Sequence, residues 1–185
     1  MESKNQTNLA TATFGTGCFW CTEAVFQDIK GVESVVSGYS GGFVDNPTYK
    51  AICTGQTGHA ECLQIKYDTT QIDFHTLLGA FFASHDPTTK DRQGNDTGPQ
   101  YRSVVFYHNQ DQKAQVEKAI ADLTAEKAFS SPIVTEVAKF EKFYAAEDYH
   151  QNYYNDNSFQ PYCAMIIRPK LDKFRKVFKD KLKTH

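Results

Sequence analysis

Residues 61–67 alternate without a break. Glu61, Leu63, Ile65 and Tyr67 occupy one set of positions, and Cys62, Gln64 and Lys66 the other. A period of two belongs to an extended strand, whose successive side chains leave opposite faces. The run therefore predicts a strand with one apolar face, which needs neighbouring strands and a covering layer. It also has a chemical consequence. Glu61 stands on the apolar side, where a carboxyl loses hydration and its pKa rises. A carboxyl that keeps its proton at neutral pH is a candidate general acid. Fraying at the strand end is the alternative, and it would leave Glu61 solvated.

Shorter signals place the remaining elements. Strands are predicted at 12–15, 32–39, 103–107, 133–140 and 164–167. Helices are predicted over 17–28, 73–84 and 111–127, and again from Pro169, a residue favoured at the first helical position. In that last helix Leu171, Phe174 and Phe178 are spaced to dock on a sheet. Residues 41–60, 85–101 and 141–160 read as loops. The pattern fits an α+β class, an α/β two-layer sandwich: a mixed sheet with helices packed on it, a ferredoxin-like core and extended loops. With 185 residues, 40% of them hydrophobic, one catalytic domain over 11–185 is expected behind a polar, disordered segment at 1–10.

A net charge of −2 gives no reason to expect nucleic acid or an anionic membrane as partner. Lys173, Arg175, Lys176, Lys179, Lys181 and Lys183 read as a solvated helix face. There is no leader-like start and no run approaching the roughly 18 apolar residues of a membrane span, so a cytoplasmic protein is expected. The five cysteines are an odd number, which argues for free or catalytic thiols over a closed disulfide framework.

Two of those cysteines lie in Gly17-Cys18-Phe19-Trp20-Cys21, where a strand hands over to a helix. A sulfur in a first helical turn meets unpaired N–H groups and the positive end of the helix dipole, and both favour the thiolate. Cys21 follows about one turn later, at a spacing from which a disulfide can form once one sulfur is oxidised. Taken alone, the pair also fits small buried hydrophobes, half of a zinc site or a plain dithiol exchanger. Cys53 and Cys62 lack the second Cys-x-x-Cys knuckle a zinc site would need. Phe19 and Trp20 could form an apolar cup beside the reactive sulfur or anchor the helix in the core. Tyr49, His59, Asp96, Tyr101 and His150 are loop residues whose polar groups could converge on the same place.

These residues resemble one family, the A-type peptide methionine sulfoxide reductases. The resemblance runs over about residues 12–170. It rests on GCFWC at 17–21, GYSGG at 38–42, NPTY at 46–49, TGHAE at 57–61, HDPTT at 85–89, GNDTGPQYRS at 94–103, AEDYHQNY at 146–153 and PYC at 161–163. It implies reduction of the S epimer of methionine sulfoxide, free or in proteins, without metal or organic cofactor and with thioredoxin as reductant, a protein-repair activity under oxidative stress. By position, Cys18 resembles the catalytic cysteine, and Phe19 and Trp20 the pocket for the substrate methyl. Glu61 resembles the acid, Tyr49 and Tyr101 the hydroxyls that hold the sulfoxide oxygen, and Asp96 a polar partner. Many family members carry Gly where this chain has Cys21, and keep recycling cysteines in a Gly-rich C-terminal tail. This chain ends at Lys183-Thr184-His185, so Cys21 is the expected resolving thiol and Cys163 the second choice, ahead of direct reduction by an external thiol. Cys53 and Cys62 read as structural, Cys62 on the strand face opposite Glu61. The residues taken without the resemblance leave a disulfide exchanger and a non-catalytic binder of oxidised methionine or metal as rival readings.

Overall fold

The alternating run becomes β3 (Ala60–Asp68), an inner strand of a six-stranded sheet. The protein's structure, a computed structural model, describes residues 8–183. In chain order the elements begin with β1 (Leu9–Thr16), α1 (Phe19–Gln27), β2 (Val32–Ser40), the single turn α2 (Tyr49–Ile52), β3 and α3 (Phe74–Ser84). A small hairpin, β4 (Arg92–Gln93) and β5 (Asp96–Thr97), and a 3₁₀ turn at Pro99–Tyr101 lead to β6 (Ser103–Tyr107), α4 (Gln110–Ala125) and β7 (Glu136–Lys139). β8 (Phe143–Ala145), a 3₁₀ turn at Asp148–His150, α5 (Tyr153–Asp156) and α6 (Arg168–Val177) complete the chain. The sheet order is β7-β6-β1-β3-β2-β8. All pairs are antiparallel except β6–β7, whose parallel register is made possible by the crossover through α4.

The period-two reading explains the two faces of the sheet. Phe14 pairs across to Leu63 on one side and Val105 on the other, and Ala12 pairs to Ile65. All five are fully buried, in one cluster with side chains of α1, α3 and α6. The Phe14 ring lies 5.0 to 6.0 Å from those of Phe26, Phe74 and Phe81. Burying such a side chain contributes about 1.5–3 kcal/mol. The opposite face is also covered: Ala60, Val104 and Phe106 form a second small cluster against Ala138 and Phe140. Asp73 caps α3 by accepting the Thr76 N–H, and Asn109 caps α4 by accepting that of Gln112.

The α+β reading holds, and three local expectations do not. Residues 164–167 are no strand. Cys163–Ile167 is a π-helical turn running directly into α6. Cys163, Ile167, Leu171 and Phe174 are all buried, a helical stripe of spacing four, four and three. Pro169 therefore lies inside a continuous helical path, where the widened π turn before it accommodates the missing N–H. Second, that stripe packs chiefly on α1 and α3, not on the sheet. Third, residues 1–7 of the expected disordered segment lie outside the described residues, but Leu9 and Ala10 are part of β1, paired with Asp68 and Tyr67. The loops at 41–60, 85–101 and 141–160 carry the short elements α2, β4–β5 and β8–α5, too brief to show a period.

Candidate active site

The site forms where β1 hands over to α1. Gly17 has φ +96°, and a Cβ there would come within 2.6 Å of Gln93, so the turn admits only glycine. Cys18 follows at the cap position with extended backbone and no side-chain capping bond. It is half-buried; Cys21, one turn on, is buried.

The expectation that a helix start alone makes Cys18 a thiolate is corrected. The thiol is held well above its ordinary value by its interaction with Cys21, by burial and by the nearby Glu61, against a single opposing bond from the Trp20 N–H. As the capping residue, Cys18 stands at the edge of the dipole and collects only that one donor. Cys21 moves the other way. Its bond with Cys18 lowers it, and Lys170 and the Tyr162 hydroxyl assist against the cost of burial. The two sulfurs titrate together, Cys18 the harder and Cys21 the easier to ionise.

Glu61 is 1% exposed, so it is not frayed into solvent. It pairs with Tyr39 across β2–β3. Burial raises its pKa from 4.5 to about 8, a bond from the Phe19 N–H pulling back and Asp96 and Cys21 pushing further up. That N–H is one of the unpaired donors of the first turn of α1. The other carboxyl oxygen, Oε2, is buried without a partner.

Around it stands an aromatic cup. The Phe19 ring is 5.9 Å from Tyr39, 6.5 Å from Tyr49 and 5.2 Å from His150. Trp20 stacks on Tyr153 at 4.1 Å and donates its indole N–H to His150 Nδ1 at 2.9 Å. Burial and then the Glu61 charge raise the pKa of both Tyr49 and Tyr101, so both keep their protons as donors. Asp96, raised by burial, borders a cavity of about 530 Å³ together with Cys18 and Cys21. Cys18, Phe19, Trp20, Tyr49, Glu61, Tyr101, Asp96 and Cys21 thus come together. Cys163 is fully buried in its helical turn, and burial first, then the nearby Cys21, raises its pKa.

Sequence reasoning left other residues without a place. His150 is fully buried with Nδ1 facing the indole and Nε2 unpaired, and burial holds it neutral. Glu147 accepts the Tyr39 hydroxyl and the Tyr49 N–H, pinning α2 to the cup. The Tyr162 hydroxyl lies 4.0 Å from the Cys21 sulfur. His150 was among the loop residues expected to converge here, whereas Glu147 and Tyr162 were signalled only by the motifs at 146–153 and 161–163. His59 works on a loop: it accepts the Gly42 N–H at 3.0 Å and sits 2.7 Å from the Val44 carbonyl. Cys62 is buried on the opposite sheet face, whereas Cys53 is exposed.

The family model for peptide methionine sulfoxide reductase matches residues 10–182. A peptide methionine sulfoxide reductase MsrA from Saccharolobus solfataricus is 51% identical over 177 residues, 96% of this chain and 99% of the relative. Among solved structures, reduced Mxr1 from Saccharomyces cerevisiae superposes with a TM-score of 0.77 at 31% identity, over 87% of this chain and 92% of that one. Methionine sulfoxide reductase A of Corynebacterium diphtheriae gives 0.74 at 35% identity, over 85% and 79%.

Proposed function

The chain belongs to the peptide methionine sulfoxide reductases, enzymes that reduce methionine sulfoxide, and from that premise we propose how its own residues carry the reaction. The observation that carries the reading is the buried, protonated Glu61 with one open oxygen, set among Cys18, Tyr49 and Tyr101. The substrate's methyl group enters the cup of Phe19 and Trp20, and its oxygen is held by the Tyr49 and Tyr101 hydroxyls, with Asp96 as a further polar partner. Cys18 passes its proton to Cys21 and attacks the sulfoxide sulfur. Glu61 protonates the oxygen as charge develops there, where fixed donors in a water-poor site act most strongly. Methionine leaves, and the oxygen stays on Cys18 as a sulfenic acid.

Cys21 then attacks the Cys18 sulfur, water leaves and a disulfide forms. Cys21 is preferred to Cys163 because it already interacts with Cys18, whereas Cys163 is locked in a packed helix. The resemblance supplies thioredoxin as reductant and the S epimer as substrate. The yeast relative Mxr1 also occurs in a complex with Trx2, which supports a protein dithiol in that role. Among the described residues no helix is long and apolar enough to cross a membrane.

The test uses separated S and R epimers of a methionine sulfoxide peptide, dithiothreitol and a Cys18→Ser control. Selective loss of the S epimer, abolished in the variant, is expected. Equal loss of both epimers would sink the stereochemical part, and turnover by Cys18→Ser the assignment of the nucleophile.

A further inference from the structure

A cavity of about 530 Å³ adjoins the sulfur pair, with Asp96 in its wall. None of Phe19, Trp20, Tyr49, Glu61 or Tyr101 borders it, whereas both Cys18 and Cys21 do. Its walls mix apolar side chains, Phe82, Phe174 and the exposed Val177, with charged ones, Lys170 and Lys173 from α6 and Asp86 and Asp96. The cavity therefore offers an approach to the same sulfurs between walls that are mostly not those of the cup. Over Cys21 stands the Tyr162 hydroxyl, 4.0 Å from the sulfur, on the helical path that also carries Lys170. A hydroxyl beside the sulfur and an ammonium-bearing side chain in the same cavity wall are what a departing thiolate needs.

We infer that Tyr162 and Lys170 form a thiolate site for Cys21, and that the dithiol reductant docks in this trench and attacks Cys18, so that Cys21 is the leaving sulfur. The inference rests on the reading of Cys21 as the resolving thiol and adds where recycling takes place and which residues drive it. The reductant's thiolate bonds to Cys18 Sγ, the Cys18–Cys21 bond breaks, and its electron pair leaves on Cys21 Sγ beside Tyr162 and Lys170. The reductant's second thiol, losing its proton, then attacks its partner sulfur and expels the Cys18 thiolate. Two electrons pass to the enzyme, two protons restore its dithiol, and the reductant departs as a disulfide. Attack on Cys18 is favoured because Cys18 is the less buried residue of the two, and because the charge then falls beside the Tyr162 hydroxyl. The charge effect of Lys170 on reduced Cys21 points the same way.

The single tryptophan, Trp20, lies against Tyr162 and so reports on this region. Enzyme oxidised by one equivalent of methionine sulfoxide is mixed with dithiothreitol or thioredoxin, and recycling is followed by tryptophan fluorescence. Lys170→Met is expected to slow recycling about three- to tenfold, the effect of raising a leaving thiol by one to two pKa units at a Brønsted slope near one half. Lys170→Arg restores the rate. The pH profile of Cys21 alkylation in the reduced enzyme moves upward in Lys170→Met and in Tyr162→Phe, a change that loss of packing would not produce. Val177→Glu raises the KM for thioredoxin relative to that for dithiothreitol. Recycling at the wild-type rate in both Lys170→Met and Tyr162→Phe, with Cys21→Ser unable to recycle, overturns the thiolate site alone. Equal KM ratios for Val177→Glu overturn the docking trench. Wild-type recycling by Cys21→Ser overturns the underlying assignment of the resolving thiol.

Discussion

Two glutamates among the described residues are withdrawn from water, and they are withdrawn differently. Glu61 on β3 is 1% exposed and Glu23 on α1 is 2% exposed; burial is the largest cause raising the pKa of each. Glu23 is saturated. The Ser37 hydroxyl donates to one oxygen and the Gln27 amide to the other at 3.1 Å, and the Asn152 N–H also stabilises the carboxylate. It ties α1 to β2 and to the segment before α5. Glu61 has one donor, the Phe19 N–H, and one oxygen with nothing to bond. Buried polar atoms are nearly always paired, so an unpaired one costs stability and marks a place where another molecule completes the site. Burial makes a carboxyl a proton holder; only the open oxygen makes it available to a substrate.

The contrast is broken most severely at Glu61. Glu61→Gln keeps the size and removes the transferable proton, and the first-turnover rate is expected to fall about 10²–10⁴-fold. Stopped-flow measurement of one turnover with a sulfoxide peptide decides it; a rate within a few-fold of wild type would end the proposal of Glu61 as the acid.

Glu23→Ala is expected to act on the other axis. It leaves the buried Ser37 hydroxyl without its acceptor and costs about 1–3 kcal/mol in denaturant unfolding, with the first-turnover rate nearly kept. A rate loss as large as that of Glu61→Gln would erase the distinction between the two carboxyls.

Titration sharpens it further. Above the Glu61 value of about 8 the protonated acid is lost, so the first-turnover rate declines by up to tenfold per pH unit. Glu61→Gln shows no such limb. The sign for stability follows from the same shift: the folded state binds the extra proton between 4.5 and about 8, so stability drops as pH rises through that window and levels above it. The smallest effect is expected for Ser37→Ala, about 1 kcal/mol of stability, because Gln27 and the Asn152 N–H still serve Glu23.

Much of this was legible beforehand. The alternation at 61–67 put Glu61 on the helix-covered face, and the face did turn out buried. The helices over 17–28, 73–84 and 111–127 were visible from their apolar spacing, and the strand at 103–107 lies within its expected bounds. The 164–167 segment was not legible, because a four-residue apolar run has no period of its own. Its helical stripe emerges only when Cys163 is counted together with Leu171 and Phe174 beyond the proline.

The sequence by itself determined the strand that carries Glu61, the strand-to-helix junction that carries Cys18 and Cys21, and the family to which the motifs belong. These depend on neighbours along the chain and on periodicities of two or 3.6 residues. Tertiary structure decided which sulfur ionises more easily, which carboxyl oxygen stays open and what holds the tryptophan. The indole of Trp20 meets His150 from 130 residues away, and Tyr162 reaches Cys21 across 141. Desolvation and hydrogen-bond partnership are set by whatever packs alongside, and at such separations no local pattern in the chain encodes that neighbour.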